Sequence, residues 1–191
     1  FWPHGHQTLV GTTTGLRRLK GTFLELIPGT EGLAIRDLAV DTGADDLPRV
    51  WMVTDAGLRL WDGTLVTTPE LPAGAGEVRA LRLARPGGGT TGAGPEAGAL
   101  WMATSTGLVR WHEGEAPHFV APAPGALPAD DARVVAAEDR HVALGHARGA
   151  SWLRAAQAGA DGWDRIDHYV SQRWLPDDTV TSLAFDGVLW I

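Results

Sequence analysis

A twelve-residue segment that occurs twice constrains the fold of this chain more than any other feature. Residues 50–61 read VWMVTDAGLRLW, and residues 100–111 read LWMATSTGLVRW. A third copy is LVGTTTGLRRL, and a weaker fourth is ALGHARGASWL. The four copies are separated by 42, 50 and 42 residues, counted between their shared glycines, which are Gly15, Gly57, Gly107 and Gly149. Self-similarity at such a period predicts one supersecondary unit that is repeated along the chain.

A second landmark precedes each unit in the same order. It is a turn with proline after an aliphatic residue, found in LIPGTEG, ELPAGAGE, ALPADDAR and WLPDDTV, where the prolines are Pro28, Pro72, Pro128 and Pro176. An alternating apolar run typical of a β-strand follows each turn. The longest interval between copies contains PGGGTTGAGPEAG, residues 86–98, which we interpret as a loop insertion.

Each unit predicts four short strands. The alternating run is the first, VWMVT or LWMAT the second, GLRLW or GLVRW the third, and TFLEL, TLVTT or PHFV the fourth. Glycine suits the tight turn between the second and third strands, because such turns need a positive φ. A four-stranded meander repeated at roughly this period is typical of a β-propeller blade. The prediction is therefore an all-β fold, a β-propeller of four-stranded antiparallel blades with about four blades present.

The predicted blade boundaries follow the two landmarks. We expect a partial blade at 1–27, full blades at 28–70, 71–126 and 127–174, and a partial blade at 175–191. Because Ile191 falls inside a predicted strand, we expect the chain to be part of a larger ring, with a closed four-bladed ring as the alternative. Residues 129–159 are rich in alanine and favour a helix by propensity alone. The repeat register predicts strands there, and we follow the register.

The repeats resemble those of the two-component regulator propeller family. LPDDTVTSLAFDGVLWI, VWMVTDAGL and LWMATSTGL reproduce its Leu-Pro turn, hydrophobic strand ending near Asp, Leu-Trp-Ile strand, and Thr followed by Gly-Leu. The resemblance covers almost the whole chain and is weakest at VALGHARGA. It implies a sensor propeller for signal transduction, which reads a ligand in an extracytoplasmic or periplasmic compartment and is attached to a membrane helix and an output domain.

Composition excludes several classes of function. A net charge of −7 argues against nucleic-acid binding, and no apolar run reaches the ~20 residues that span a bilayer, so no membrane contact is expected from this segment. The chain has no cysteine, which excludes disulfides and zinc-thiolate sites. No nucleophile elbow, phosphate loop or two-histidine metal helix is present, so we expect no catalytic residues, cofactor or metal. His4 and His6 form a His-x-His pair that we interpret as part of a frayed terminus.

The candidate ligand-binding residues should share one end of the blades. In a meander, the loop that enters the first strand and the turn between the second and third strands lie at the same end, which we call the entry end. This end should contain seven candidates: Asp55, Asp130, Asp131, His146, Arg148, Asp177 and Asp178. They could bind a cation, a sugar or a basic peptide. Alternatively, the aspartates only form turns through bonds to their own backbone.

His146 is the residue at which one repeat departs from the others. It stands where the other copies have Thr12, Thr54 and Thr104, and Arg148 follows two residues later. Such a departure in a turn predicts a functional contact. The alternative is drift in a degenerate repeat.

The tryptophans fall into two repeated positions. Trp51, Trp101 and Trp190 share one, and Trp61 and Trp111 share another. Exposed indoles could stack on sugars, but equal registers facing the next blade favour a core position, where each indole removes about 150–250 Å² from water. Trp163 and Trp174 lie outside these positions and are candidates for a surface contact.

Three functions are compatible with this sequence. The first is a non-enzymatic module that binds a small-molecule or protein ligand at its entry end, with further blades or another chain completing the ring. The second is a propeller-type lyase or hydrolase, in which His146, Asp131 and Asp178 would meet at the central channel. The third is a structural interaction scaffold.

Overall fold

The chain is built from β-strands and turns. A computed structural model describes residues 8–42, 48–84, 98–120, 131–155, 163–170, 175, 179–185 and 188–191. These residues contain no helix and form five antiparallel sheets. No helix long and apolar enough to cross a membrane occurs among them. The chain divides into two compact units, Phe1–Pro69 and Glu70–Ile191.

The first unit contains two sheets. Sheet 1 has the order β1-β2-β3, with β1 at Leu9–Thr12, β2 at Gly15–Lys20 and β3 at Phe23–Leu26. Sheet 2 has the order β4-β5-β6-β7, with β4 at Ile35–Thr42, β5 at Pro48–Thr54, β6 at Gly57–Trp61 and β7 at Val66–Thr67. The sheets share a core of four buried residues: Leu16, Ile27, Val50 and Met52.

The second unit contains three sheets. Sheet 3 comprises β8 at Val78–Leu83, β9 at Leu100–Thr104, β10 at Gly107–Trp111 and β11 at His118–Val120. Sheet 4 comprises β12 at Val134–Glu138, β13 at His141–His146, β14 at Gly149–Ala155 and β15 at Trp163–Tyr169. Sheet 5 comprises β16 at Ala184–Phe185 and β17 at Leu189–Trp190.

The strand order confirms the predicted meander. In sheets 2, 3 and 4, four consecutive strands pair antiparallel with their neighbours in the chain. The alanine-rich region forms β12, β13 and β14, so the repeat register is a better guide there than helix propensity. Burial on both faces explains this outcome, since successive residues of β12 and β13 pack on the two neighbouring sheets in turn.

The repeated glycines adopt the conformation that the turns require. Gly57 and Gly149, each after the second strand of its sheet, have φ of 92° and 123°. At Gly149 a β-carbon would also collide with the main-chain oxygen of Tyr169, so the turn leaves no room for a side chain. Gly21, in the turn before β3, also has a positive φ, at 65°, but no atom lies within 4 Å of the place of its missing β-carbon.

Within the second unit, successive sheets pack face to face. Trp101 and Leu108 of sheet 3 lie against Leu144 and Leu153 of sheet 4 in one buried cluster. The opposite face of sheet 4 packs on sheet 5, where Ala143 belongs to the same cluster as Val180 and Leu183. The first strand of sheet 4, β12, contacts β8 and β16, the first strands of the two adjacent sheets.

The tryptophan predictions have different outcomes. Trp51 and Trp101 are buried, at 2% and 1% exposure, which confirms their core position. Trp190 was expected to match them but is 62% exposed, because Phe185 and Leu189 supply the face of sheet 5 that packs on sheet 4. Trp163, a candidate for a surface contact, is half-buried, so that role stays a prediction. Its ring lies 5.8 Å from that of Trp101 and packs on the buried cluster.

Of the other three tryptophans considered in the sequence, two are half-buried and one lies outside the residues that the structure describes. Trp61 is half-buried and packs on the core of the first unit. Trp111 is half-buried as well. Trp174 lies outside the residues that the structure describes.

Candidate functional site

The two kinds of loop that define the entry end do lie together. The amide of Ser105, in the turn between β9 and β10, donates to the carbonyl of Glu77 before β8, with an N–O distance of 2.9 Å. In sheet 2 the amide of Asp55 donates to the carbonyl of Ala34 at 3.3 Å. The meander alone dictates this arrangement, because the first and second strands run in opposite directions.

Asp131 joins the entry loops of two sheets. Its amide donates to the carbonyl of Ser105 at 2.9 Å. One carboxylate oxygen accepts a hydrogen bond from Arg79 on β8, and the other accepts from Nε of Arg133 at 3.1 Å. The carboxylate is therefore held between an arginine of sheet 3 and one that precedes sheet 4.

The contacts of Asp131 determine its charge. The hydrogen bond from Arg79 lowers its pKa below the ordinary value of 3.8; burial opposes this to a smaller extent, and the hydrogen bond from Arg133 adds to the lowering. Its φ of 69° lies in the left-handed region, which aspartate tolerates better than most residues. Asp131 is thus a fixed, ionised link between loops.

His146 replaces a threonine that closes the same turn in other sheets. In sheet 2, Oγ1 of Thr54 accepts a hydrogen bond from the amide of Ala56 at 3.2 Å and donates to the carbonyl of Gly57 at 2.7 Å. In sheet 4, Nδ1 of His146 accepts from the amide of Arg148, two residues later, at 3.3 Å. The imidazole therefore takes over the acceptor role of the hydroxyl.

The other nitrogen of His146 leads into a row of polar side chains. Nε2 of His146 lies 3.2 Å from Oγ of Ser151, and this oxygen lies 3.0 Å from Nδ1 of His168. Ser151 on β14 pairs with His168 on β15, so their side chains share a face of the sheet. The face is the one that packs on sheet 3, since Leu144, the other neighbour of Ser151, belongs to that core.

The contacts assign the protons along this row. Because Nδ1 of His146 accepts the Arg148 amide, its neutral ring carries the proton on Nε2 and donates it to Ser151. The Ser151 hydroxyl then donates to Nδ1 of His168. Burial lowers the pKa of His146 below its ordinary 6.5, and the charges of His168 and Arg148 add to this while Asp131 opposes it.

Access to this row is limited at its centre. Ser151 is 0% exposed and His146 is 3% exposed, whereas His168 at the other end is exposed. A substrate cannot reach the Ser151 hydroxyl in this arrangement. The chain of hydrogen bonds satisfies buried polar groups, but it presents no accessible nucleophile.

Ser151 and His168 were not among the residues predicted from the sequence. Counting from the repeated glycine would have revealed the first, because Ser151 stands where sheet 3 has the buried Val109. No such count reaches His168, since the insertion at 156–162 separates β14 from β15 and has no counterpart of equal length in the other units.

The remaining predicted ligand residues do not join the polar row. Asp55, in the first unit, is exposed and forms an ion pair with Arg36 at 3.3 Å. Arg148 is exposed and contributes its main-chain amide to His146. Asp130, Asp177 and Asp178 lie outside the residues that the structure describes, as do His4 and His6. The binding role of all seven candidates stays a prediction.

Metal coordination gains no support from the described part of the chain. Among those residues, no three histidine, aspartate or glutamate side chains are close enough to hold a metal ion together. Asp131 and His146 are near enough to interact through charge, but each has its own hydrogen-bond partners.

Comparison with known proteins assigns no family to this chain. No protein-family model matches the sequence, and no curated protein and no solved structure matches it. What the chain does must therefore be inferred from its own side chains.

Proposed function

We propose that the sheets are blades of a β-propeller and that the chain is a non-enzymatic binding module, resembling the sensor region of two-component regulators. It binds a small-molecule or protein ligand at its entry end. The alternative functions are a propeller-type hydrolase or lyase and a structural scaffold, and each makes a different demand on the residues described above.

The arrangement of strands in the second unit supports the propeller. Its sheets are meanders packed face to face, and β12 lies between β8 and β16, so first strands neighbour one another in chain order. In a propeller, blades packed in this way surround a central channel. The repeated sequence segment also occurs in sheets 1 and 2, so the proposal treats these sheets as blades of the same kind.

The observation that carries the binding function is the state of Asp131. A general acid or base needs a carboxylate that can exchange a proton with a substrate near neutral pH. Asp131 instead has both oxygens engaged by Arg79 and Arg133, and its pKa is lowered. These contacts give the loops a fixed shape, which suits recognition, where pre-organisation reduces the entropy lost on binding.

One contact favours a hydrolase as the second candidate. The Ser151 hydroxyl lies 3.0 Å from a histidine nitrogen, which is the spacing of a nucleophile and its base. However, Ser151 has no exposed surface and faces the core between sheets 3 and 4. Opening the sheets would be needed before it could attack a substrate, so we favour the binding module.

A ligand screen read by thermal unfolding tests the proposal. We would add sugars, divalent cations, amino acids and short basic peptides to the purified chain, and measure the shift in the unfolding midpoint. We expect at least one ligand to raise the midpoint in a saturable manner. The shift should fall in Arg148→Ala or Asp55→Ala and persist in His112→Ala, whose position follows β10 at the opposite end of its sheet.

Ester hydrolysis provides the opposing test. Turnover of p-nitrophenyl acetate above background that disappears in Ser151→Ala would replace the binding module with the hydrolase. If the ligand raises the unfolding midpoint of Arg148→Ala and of Asp55→Ala as much as that of the wild type, the entry end is not the binding surface.

A further inference from the structure

The outer strand of sheet 4 is longer than its counterparts in the other sheets. β15 has seven residues, whereas β3, β7 and β11, the outer strands of sheets 1, 2 and 3, have four, two and three. Among the described residues, β15 pairs on one side only, with β14. A long edge strand presents a row of main-chain donors and acceptors with which another strand can pair, and proteins usually shorten or cover such edges.

The middle of β15 carries opposite charges on either side of an aliphatic residue. Ile166 pairs with Leu153 and packs on the buried cluster between sheets 3 and 4. Arg165 and Asp167 flank it in the chain, so they point to the opposite face of the sheet. Their side chains are 64% and 29% exposed and form an ion pair at 2.6 Å. The edge therefore presents a cation, an aliphatic residue and an anion in this order.

This order is complementary to itself. When a strand pairs antiparallel with an identical strand, a twofold axis relates the two copies, and the residue at the axis opposes itself. With the axis at Ile166, Arg165 of each copy opposes Asp167 of the other, and the two isoleucines oppose each other. Directly opposed residues of opposite charge, and directly opposed aliphatic residues, stabilise a pair of strands.

Neighbouring registers lack this complementarity. A shift of one residue would place opposed side chains on different faces of the sheet. With the axis at Arg165 or at Asp167, two identical charges would oppose each other directly, which destabilises the pair. With the axis at His168, Asp167 would oppose Tyr169, and no ion pair would form. The charge pattern therefore favours the register centred on Ile166.

A bulge limits the length of such a contact. The register between β14 and β15 shifts between Arg154 and Ala155, and Asp164 has no pairing partner on β14. Bulges bend an edge strand and end its pairing. In the register centred on Ile166, Asp164 opposes His168, so the two bulges lie outside the three central pairs. A contact of this length buries less than the roughly 1,000 Å² of a stable interface, so a weak dimer is expected.

We propose that two copies of this chain pair through β15, antiparallel and centred on Ile166, to form a twofold dimer. The two four-stranded sheets then form one continuous sheet of eight strands. Each copy has a net charge of −7, but physiological salt screens charges beyond about 8 Å, so adjacent pairs determine the register. The proposal rests on the sequence and register of sheet 4, and it is independent of the proposed function.

Two variants with a reversed charge test the dimer and its register. Arg165→Glu places an acidic group opposite Asp167 of an identical copy, and Asp167→Lys places a basic group opposite Arg165. Each variant alone should self-associate about tenfold more weakly than the wild type, or less still. In an equal mixture, each reversed residue opposes the reversed residue of the other variant, so association should return. The measurement is the weight-average sedimentation coefficient over a hundredfold range of protein concentration.

The mixture also controls for folding, because a misfolded variant could not restore association with the other. Glu25→Lys provides a matched control, since it reverses a charge that forms an ion pair on β3, the outer strand of sheet 1. It should leave the self-association of the chain unchanged. An equal effect of Glu25→Lys and Asp167→Lys would indicate a response to net charge and would contradict the proposal.

A cross-linking experiment locates the axis independently of charge. The chain has no cysteine, so Ile166→Cys introduces a single thiol. At the axis, the β-carbons of the two copies come within about 4.5–5.5 Å, and mild oxidation should yield a disulfide-linked dimer. In Val170→Cys the two thiols lie roughly 25 Å apart along the paired strands and should link much more slowly.

Three results would overturn the proposal. The first is a wild type that stays monomeric over the whole concentration range. The second is a mixture of Arg165→Glu and Asp167→Lys that associates no better than either variant alone. The third is disulfide formation in Val170→Cys at the rate seen in Ile166→Cys. Self-association that neither charge reversal weakens would place the contact on another surface, which also contradicts the proposal.

Discussion

His146 and Ser151 lie on adjacent strands of sheet 4 with Nε2 and Oγ 3.2 Å apart, and both are buried. This contact exists because the turn of sheet 4 uses an imidazole where the turns of sheets 2 and 3 use a threonine hydroxyl. A threonine closes its turn with one oxygen, as Thr104 does. An imidazole has a second nitrogen, and Ser151 satisfies it.

Restoring the pattern of sheet 3 should reveal the coupling between these two residues. Ser151→Val alone leaves the Nε2–H of His146 buried without an acceptor, which costs about 1–3 kcal/mol of unfolding free energy. In the double variant with His146→Thr, this donor is gone. We expect the double variant to be more stable than the sum of the single effects predicts, by about 1 kcal/mol, in urea denaturation. Strict additivity would show that the contact contributes nothing.

The buried imidazole should make stability depend on pH. Since the pKa of His146 is lowered in the folded state, the unfolded chain binds the proton more readily below its ordinary value of 6.5. Stability is therefore present above pH 6.5 and decreases as pH falls from 6.5 toward the folded pKa. The pKa of His141 is also lowered by burial, so it adds to the same loss.

Urea denaturation at pH 7.5 and 5.5 measures this dependence. The unfolding free energy of the wild type should be smaller at the lower pH. In His146→Thr this decrease should be smaller, because only the contribution of His141 remains. An equal loss in both proteins would mean that His146 is not protonated more readily on unfolding. The pKa of His146 measured by NMR should then lie at or above 6.5.

Neutralising Asp131 should loosen the link between the entry loops of sheets 3 and 4. Asp131→Asn keeps a residue that tolerates a φ of 69° and removes the charge that Arg79 and Arg133 contact. Because the carboxylate is 35% exposed, we expect a loss of only about 1 kcal/mol. The difference in unfolding free energy from wild type should shrink between about 50 and about 500 mM salt, because this increase shortens the Debye length roughly severalfold and screens the ion pairs. A loss that is unchanged by salt would indicate altered packing instead.

Two glycines with positive φ should respond differently to alanine. At Gly149, with φ 123°, a β-carbon would collide with the main-chain oxygen of Tyr169, so Gly149→Ala should cost more than about 2 kcal/mol. At Gly21, with φ 65°, the space is open, and Gly21→Ala should cost about 1 kcal/mol from backbone strain alone. Thermal unfolding of both variants provides the comparison. Equal losses would show that the approach of Tyr169 is not limiting.

The elements of the fold could be predicted because they depend on local chemistry. The glycine turns, the alternating runs and the 42- to 50-residue period each follow from backbone geometry, and they predicted the strands of sheets 2 to 4. Even the alanine-rich region forms strands, as the register of the repeat predicted. The shared end of the entry loops was predictable too, because a meander allows no other arrangement.

The environment of individual side chains depended on contacts between strands and between sheets, which the sequence alone does not reveal. Trp163 packs against Trp101 with the ring planes tilted by 38°, and the segment between β14 and β15 hides its register. Asp131 was a candidate ligand residue, yet Arg79, 52 positions away, engages its carboxylate. Ser151 was not among the predicted residues, and it becomes the centre of a polar row once β13, β14 and β15 are paired.

The sequence by itself determined the repeating unit, its turns and the strands of sheets 2 to 4, since these are set by propensity, periodicity and the conformations that glycine permits. The tertiary structure alone decided which polar groups are buried and what satisfies them. At His146 the sequence indicated that one repeat differs from the rest. Only the packing of sheet 4 showed that the imidazole turns inward to Ser151, because a buried polar ring must be satisfied by groups that strand pairing and burial place beside it.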